Sequence, residues 1–568
     1  MKLPTPQDVL GTVRRLVNDP PARRLERFVR VGRQVGLQTE FHPGRVPALL
    51  SATVQLGLKT RAIHALHALN TPDRLALVDE RRSLTYAEAS DEMNRLGNAL
   101  HSHFGVVGRT PVVLMMENCV EYVVAWFALA RLGAAAVHAS YRLTPRELEY
   151  LVRHSGARVA IVSESAHACA AQLQKDAPDL NLRLIVVSDQ PHAGAERYGS
   201  LLSGVSNAPP PRDAAVQSEN VVYTSGTTGK PKGAVRDFAS IGVTELMRVL
   251  ERLPFRMGER HLVVSPVYHS AGQVFTLLHA ALGSTVYLRP HFDPEDTLKA
   301  LSRWGINSIF LVPTMLRRLV TLAPELFGQN PTPYLRGIVS GAAEFPHSLR
   351  MAAIERFGAH AIHDFYGATE LGWVTIINGE EMLRKPGSVG RPLAGQQVRI
   401  LDEQGHEQKP GTVGLIYVRN DQTMAGYLHD EAATSDTRRG EWMTVEDLGY
   451  IDEDGYLFLA GRARDMVKSG GVNIYPVEIE EVLARHPAVA EVAVIGIPDP
   501  DWGEKLVGVV VPRTKDLDPA DLERFGREHL ASLKVPKVWH LVAELPRNAT
   551  GKVLKKELRQ RFGPPSAR

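Results

Sequence analysis

Tyr223-Thr-Ser-Gly-Thr-Thr-Gly-Lys-Pro-Lys-Gly233 places three glycines, four hydroxyl residues and two lysines in the ten positions after the tyrosine. Gly226 and Gly229 admit backbone conformations closed to other residues, so successive N–H groups can turn inward into an anion-binding nest. Thr224, Ser225, Thr227 and Thr228 add hydroxyl donors, and Lys232 adds a point charge. This composition suits a polyphosphate. It is not the usual phosphate loop, G-x-x-x-x-G-K-[ST] opening a helix, because Pro231 argues against Lys230 lying inside one. The flanks Asn220-Val-Val-Tyr223 and Ala234-Val-Arg236 read as strands, giving a strand–loop–strand unit. A plain Gly/Ser/Thr hairpin turn is the competing reading, and the ordered string with its Pro-Lys-Gly ending weighs against it.

Around this loop the chain has ordinary globular composition, 44% hydrophobic and 23% charged over 568 residues, so more than one domain is expected. Two cysteines, Cys119 and Cys169, make neither a disulfide framework nor a Cys-rich zinc site, which fits a reducing, cytoplasmic setting. The N-terminus has no apolar run of signal-peptide type, and no 18-residue apolar stretch reads as a membrane span. Charge is uneven: residues 1–70 hold eleven Lys/Arg against four Asp/Glu, a net of +7, leaving −4 for the rest. Arg23, Arg24, Arg27, Arg30 and Arg33 interleave with Leu25, Phe28, Val29 and Val35, as in a basic amphipathic helix. Residues 1–70 are therefore read as a basic helical extension. It is expected either to pack on the body or to make peripheral membrane contact. No nucleic-acid-binding motif accompanies the basic cluster.

From residue 71 short apolar runs alternate with helical patterns: Leu75–Val78, Val112–Met115, Ala134–His138 and Val159–Val162 as strands, Glu121–Leu132 and the stretch after Pro145 as helices. The pattern implies α/β units with parallel pairing. Beyond Gly387 strands separated by Gly/Asp turns suggest an antiparallel unit, and beyond Gly461 a smaller α+β module follows, with strands Val492–Ile497 and Leu506–Val511 and helix Pro519–Leu530.

Six further segments stand in order along the body: Pro266-Val-Tyr-His-Ser-Ala-Gly272, Ser340-Gly-Ala-Ala343, Asp364-Phe-Tyr-Gly-Ala-Thr-Glu370, Trp442-Met-Thr-Val-Glu-Asp-Leu-Gly449, Gly461–Glu480 and Pro546-Arg-Asn-Ala-Thr-Gly-Lys-Val-Leu-Lys555. Together with the loop at 223–233 they resemble the adenylate-forming superfamily of acyl-CoA synthetases, luciferases and peptide-synthetase adenylation domains. The resemblance implies an α/β protein with a large AMP-binding domain over 71–462, built of two α/β lobes and a small β unit, and a small mobile domain over 463–568.

It also implies roles. Gly341, Ala342, Ala343, Asp364, Phe365, Tyr366, Gly367 and Thr369 would form the adenine and α-phosphate site, Tyr366 offering an aromatic face. Glu370, with Thr224, would hold Mg2+, which takes few carboxylates plus phosphate oxygens. Asp447 would accept from the ribose hydroxyls, with Arg462 beside it. Val445-Glu446 replaces the usual Thr-Gly before Asp447. His269 would be a gate or pocket residue rather than a base, and Gln273 stands where some long-chain synthetases carry a gating tryptophan. Arg464 falls at the hinge position. Ser469, Gly470 and Gly471 would line the path of a thiol arm, and Lys552 matches the adenylation lysine.

The expected reaction is ligation of a carboxylic acid, a fatty acid being favoured by the run from Glu370 to Gly387, to coenzyme A with ATP and Mg2+. A free-standing enzyme loading a carrier protein shares the first half-reaction, as does a luciferase-like oxidase. A non-catalytic scaffold would be expected to lack Lys552 or Glu370. A homodimer stays open.

Overall fold

The computed structural model describes residues 21–40, 43–56, 60–212, 216–224, 232–236, 243–420, 422–469, 472–514, 517–547 and 552–563. Strands Glu219–Thr224 and Lys232–Arg236 pair antiparallel, Tyr223 opposite Gly233 and Thr224 opposite Lys232. The expected strands are there; Ser225, Gly226, Thr227, Thr228 and Gly229 lie outside the described residues.

Glu219–Thr224 continues into a largely parallel sheet through Ala135–His138, Pro111–Met115, Val159–Ser163 and Arg183–Val187. These strands are buried on both faces, as parallel sheets covered by helices are. Helix Val120–Leu132 is buried along its whole length and stops at Gly133, whose φ of 74° closes the helix at no steric cost. Helix Pro145–Ser155 starts from a Thr144/Glu147 capping box.

A second sheet runs parallel through Leu75–Val78, Thr285–Leu288, Arg260–Val263, Ser308–Phe310, Gly337–Gly341 and Ile362–Ala368. It then turns antiparallel through Gly372–Asn378, Ser388–Pro392, Leu457–Arg462, Asp447–Ile451 and Gly414–Arg419. Helix Ser270–Ala281, hereafter the site helix, lies on its parallel part: Phe275 stacks on Phe310 at 4.7 Å and His279 on His261 at 3.8 Å.

A third, smaller sheet holds Val467–Ser469, Val472–Ile474, Val489–Asp499, Gly503–Pro512 and Val538–Leu541. Its long hairpin exceeds the two strands expected from sequence because pairing continues to Asp499 opposite Gly503. One short turn, Ala463–Asp465, joins it to the second sheet. The fold is thus the mixed α/β architecture expected, with a large N-terminal part and a smaller C-terminal one.

The N-terminal helix Pro21–Gln34 packs on helix Val243–Leu250. Val31 and Val35 are buried in one cluster with Leu250, Leu253 and Phe255. Arg27 and Arg30 both pair with Glu251, and Gln34 Nε2 donates to the Leu250 carbonyl at 2.9 Å. Leu25, Phe28 and Val29 stay exposed. Among the described residues no helix is long and apolar enough to cross a membrane.

Deleting residues 1–44 is therefore expected to lower the melting temperature by several degrees. Full-length protein is expected to ignore anionic liposomes at low salt. Salt-sensitive co-sedimentation lost on deletion, with unchanged melting, would make the segment a surface anchor instead.

Candidate active site

Strands Asp447–Ile451 and Leu457–Arg462 pair with Asp447 opposite Arg462. Arg462 Nε lies 3.1 Å from Asp447 Oδ1, and the Tyr366 hydroxyl, reaching over from strand Ile362–Ala368, donates to Oδ2 at 2.9 Å. Tyr366 is buried, and burial with the neighbouring carboxylate holds its phenol well above its ordinary pKa, so it stays a donor. Glu446, in place of the usual glycine, takes a left-handed φ of 63°, and Ala342 does the same at 66°. Such residues cost about 1–3 kcal/mol each and gather at functional sites.

Following Tyr366, a Cβ at Gly367 would stand 2.2 Å from the Gly372 carbonyl oxygen, so only glycine fits that turn. Thr369 Oγ1 lies 3.0 Å from Ser270 Oγ at the start of the site helix. Glu370 Oε1 accepts the Tyr427 hydroxyl at 2.9 Å. Lys232 Nζ stands over the Tyr427 ring at 5.2 Å from its centroid and 4.0 Å from Asp430 Oδ2. Lys232, Tyr427 and Glu370 thus form one chain of contacts leading from the glycine-rich loop to the Thr369–Glu370 segment.

Lys552 completes this constellation from the C-terminal part. Burial lowers its pKa to about 8; Arg462 and Arg464 push the same way, Asp447 and Asp465 against. It therefore stands in electrostatic reach of the carboxylate that Tyr366 and Arg462 hold. Arg464 lies within the Ala463–Asp465 turn, and Arg559 anchors that turn through Asp465 at 3.0 Å. Ser469 ends a strand opposite Val472; Gly470 and Gly471 lie outside the described residues.

Two of the expected nucleotide contacts face elsewhere. Asp364 is buried against Arg350, its Oδ2 3.0 Å from the guanidinium, which also donates to the Phe345 and Ser388 carbonyls. It ties strand Ile362–Ala368 to helix His347–Phe357. Phe365 turns to the opposite face and stacks on Trp373 at 4.8 Å, beside Phe275 and Phe310. A Cβ at Gly341 would stand 2.5 Å from that Phe365 ring. The result is a wall of buried aromatic rings on the face of that strand opposite Tyr366.

His269 precedes the site helix with its Nε2 buried and unpartnered, and burial lowers its pKa to about 4. A neutral imidazole fits the pocket role expected of it. Tyr427, Ser270 and Arg350 escaped sequence reading: Tyr427 is 57 residues from Glu370, and only the pairing of Tyr427 with Ala234 brings it in.

The donor set bears on the metal. Among the described residues no group of three His, Cys, Asp or Glu could hold one. Glu370, with one oxygen engaged by Tyr427, fits an ion that draws most ligands from phosphate and water, as Mg2+ does.

A double-lobed α/β body, a glycine-rich loop between strands and a lysine delivered by a small C-terminal unit define an adenylate-forming enzyme. The chain belongs to the AMP-binding enzyme family, which matches residues 65–428, its C-terminal domain matching 478–552. It is 34% identical over 502 residues to an indoleacetate–CoA ligase of Aromatoleum aromaticum, covering 87% of this chain and 96% of the relative. It is 31% identical over 496 residues to a 2-succinylbenzoate–CoA ligase of Bacillus licheniformis, covering 86% and 97%. ATP-bound MatB from Rhodopseudomonas palustris superposes with a TM-score of 0.80 at 28% identity, covering 89% and 99%.

Lys552→Ala is expected to slow adenylate formation about 100- to 1000-fold while sparing thioester formation from presynthesised acyl-adenylate. In the wild type, the protonated form is the useful one and is lost as pH rises through its pKa, so kcat/KM for ATP should fall above about pH 8. A profile flat to pH 10 would remove Lys552 from that step. Glu370→Gln should raise the Mg2+ concentration needed for pyrophosphate exchange with melting unchanged; an unaltered metal titration would exclude it as ligand.

Proposed function

We propose that this protein is an ATP-dependent acid–CoA ligase, and that its acid carries an aromatic ring. The observation that carries the ligase reading is Lys552, half-buried and within electrostatic reach of Asp447 and Arg462. The step it serves brings a carboxylate anion to the α-phosphorus of ATP with pyrophosphate leaving. Anion meets polyanion there, so fixed positive charge lowers the barrier. Lys552 and Lys232 supply that charge, and Thr369 donates to the α-phosphate. Mg2+ held at Glu370 would neutralise phosphate charge when bound. Tyr366 offers its ring to adenine, and Asp447 accepts from the ribose hydroxyls. In the second step the thiol of coenzyme A attacks the acyl carbonyl and AMP leaves. A pivot at Arg464 would withdraw Lys552 and bring Ser469 with its neighbouring glycines to the site.

The acid is the finer question. The run from Glu370 to Gly387 favoured a fatty acid. The ring wall of Phe275, Phe310, Phe365 and Trp373 favours an aryl acid, since offset and edge contacts between rings add to simple burial. The named substrates of the two ligases above point the same way.

The test is a panel of phenylacetate, indole-3-acetate, 2-succinylbenzoate, octanoate and palmitate, followed by pyrophosphate release and by mass detection of the thioester. Aryl acids should lead by at least about tenfold in kcat/KM. Preference for palmitate would restore the fatty-acid reading. Adenylate formation with no thioester on coenzyme A would favour a carrier-protein loader.

A further inference from the structure

Lys552 lies on a segment whose two legs are joined at the base. The Leu554 N–H donates to the Pro546 carbonyl at 2.8 Å, and Arg547 stands opposite Val553 in an antiparallel bridge. Each leg also carries a cation that reaches a carboxylate of the small unit. Arg547 Nη2 lies 2.9 Å from Glu491 Oε2, and Lys555 Nζ lies 2.7 Å from Glu480 Oε1. Glu491 belongs to strand Val489–Asp499. Glu480, on helix Pro476–Leu483, accepts in turn from the Val494 N–H of that same strand. Both legs are therefore fastened to one strand, which pairs along its length with Gly503–Pro512.

These pairs do more than glue the unit together. The helix that starts at Lys555 already has an apolar anchor, Leu558, buried with Ala493, Ile495 and Ile497 of that strand. Ion pairs taken partly out of water often add little net stability over apolar pairs of the same size. What a charged hydrogen bond adds is direction, because it holds its chain in one place. Direction matters here, since a reacting group about 1 Å out of place can cost about 100-fold in rate. Glu491 also faces the large part. Arg317, half-buried on helix Pro313–Val320, stands within electrostatic reach of it, with Arg513 and Arg547 opposing.

We propose that Glu491 and Glu480 are positioning residues for Lys552: through Arg547 and Lys555 they hold both legs of its segment, and so set the rate of adenylate formation but not of thioester formation. The proposal rests on the acid-ligase reading and deepens it. Neither carboxylate is asked to touch the reacting atoms; each acts through the placement of the lysine.

The test uses full-length enzyme, ATP and whichever acid of the panel above is turned over fastest. Pyrophosphate release reports adenylate formation, and presynthesised acyl-adenylate with coenzyme A reports thioester formation. Glu491→Gln, Arg547→Gln and Glu480→Gln should each slow the first about 10- to 100-fold and leave the second largely unchanged. Glu491 and Arg547 act as one unit, so their double variant should be no slower than the slower single. Arg547→Lys, which keeps the charge, should lose less than Arg547→Gln. The alkaline limb of pyrophosphate release is the second arm. It lies near pH 8 in the wild type and should move up by at least about one unit in Glu491→Gln, as the amine leaves its buried place. A merely structural pair would slow both half-reactions and keep the limb. Equal losses in both half-reactions, additive losses in the double variant, or a limb that stays near 8 overturn the proposal. If the wild type releases no pyrophosphate with any acid of the panel, the acid-ligase reading itself fails and takes the proposal with it.

Discussion

Asp447 is the anion on which the meeting of the molecule's parts depends. Tyr366 and Arg462 hold one oxygen each, from two different strands, and Lys552 stands near from the C-terminal unit. Without that carboxylate, Arg462, Arg464 and Lys552 would be three cations crowded in a partly buried place, where charges repel more strongly than in water. With it, they can share one site. A carboxylate has about four acceptor positions, so two protein donors leave capacity for a pair of hydroxyls.

Much of this could be read along the chain, because it is local. The strands flanking the glycine-rich loop, the capping box at Thr144 and the glycine stop at Gly133 follow from neighbouring residues. What could not be read depends on which strands lie side by side. Ser270 and Thr369 are 99 residues apart, and no periodicity joins them. The basic stripe of the N-terminal helix is compatible with packing or with surface contact; Glu251, more than 200 residues away, takes two of its arginines. Asp364 and Tyr366 read as one motif, yet Arg350 claims Asp364 from below.

Departures from the family pattern also find a physical account. Glu446 replaces a glycine and still adopts the left-handed conformation that glycine adopts freely. The turn before Asp447 is held through the Glu446 backbone, its N–H donating to Thr444 Oγ1 at 3.0 Å and its carbonyl accepting from the Ala463 N–H at 2.8 Å. Ala342 shows the same behaviour between Gly341 and the brace formed by Arg350. Strained residues of this kind gather where the surrounding structure fixes the shape of a site.

Lys552 carries a consequence for how the small unit could travel. In its present place the amine titrates near 8, whereas the ordinary value is 10.5. An undocked unit would return it to water and to that ordinary value. Between those limits the docked arrangement binds fewer protons than the undocked one, so docking and proton release are linked. Alkaline medium would pull the empty enzyme toward the docked arrangement. A bound polyphosphate would restore the missing charge and draw a proton in. The small unit's position would then be readable as proton traffic in an unbuffered solution, before any bond is made or broken.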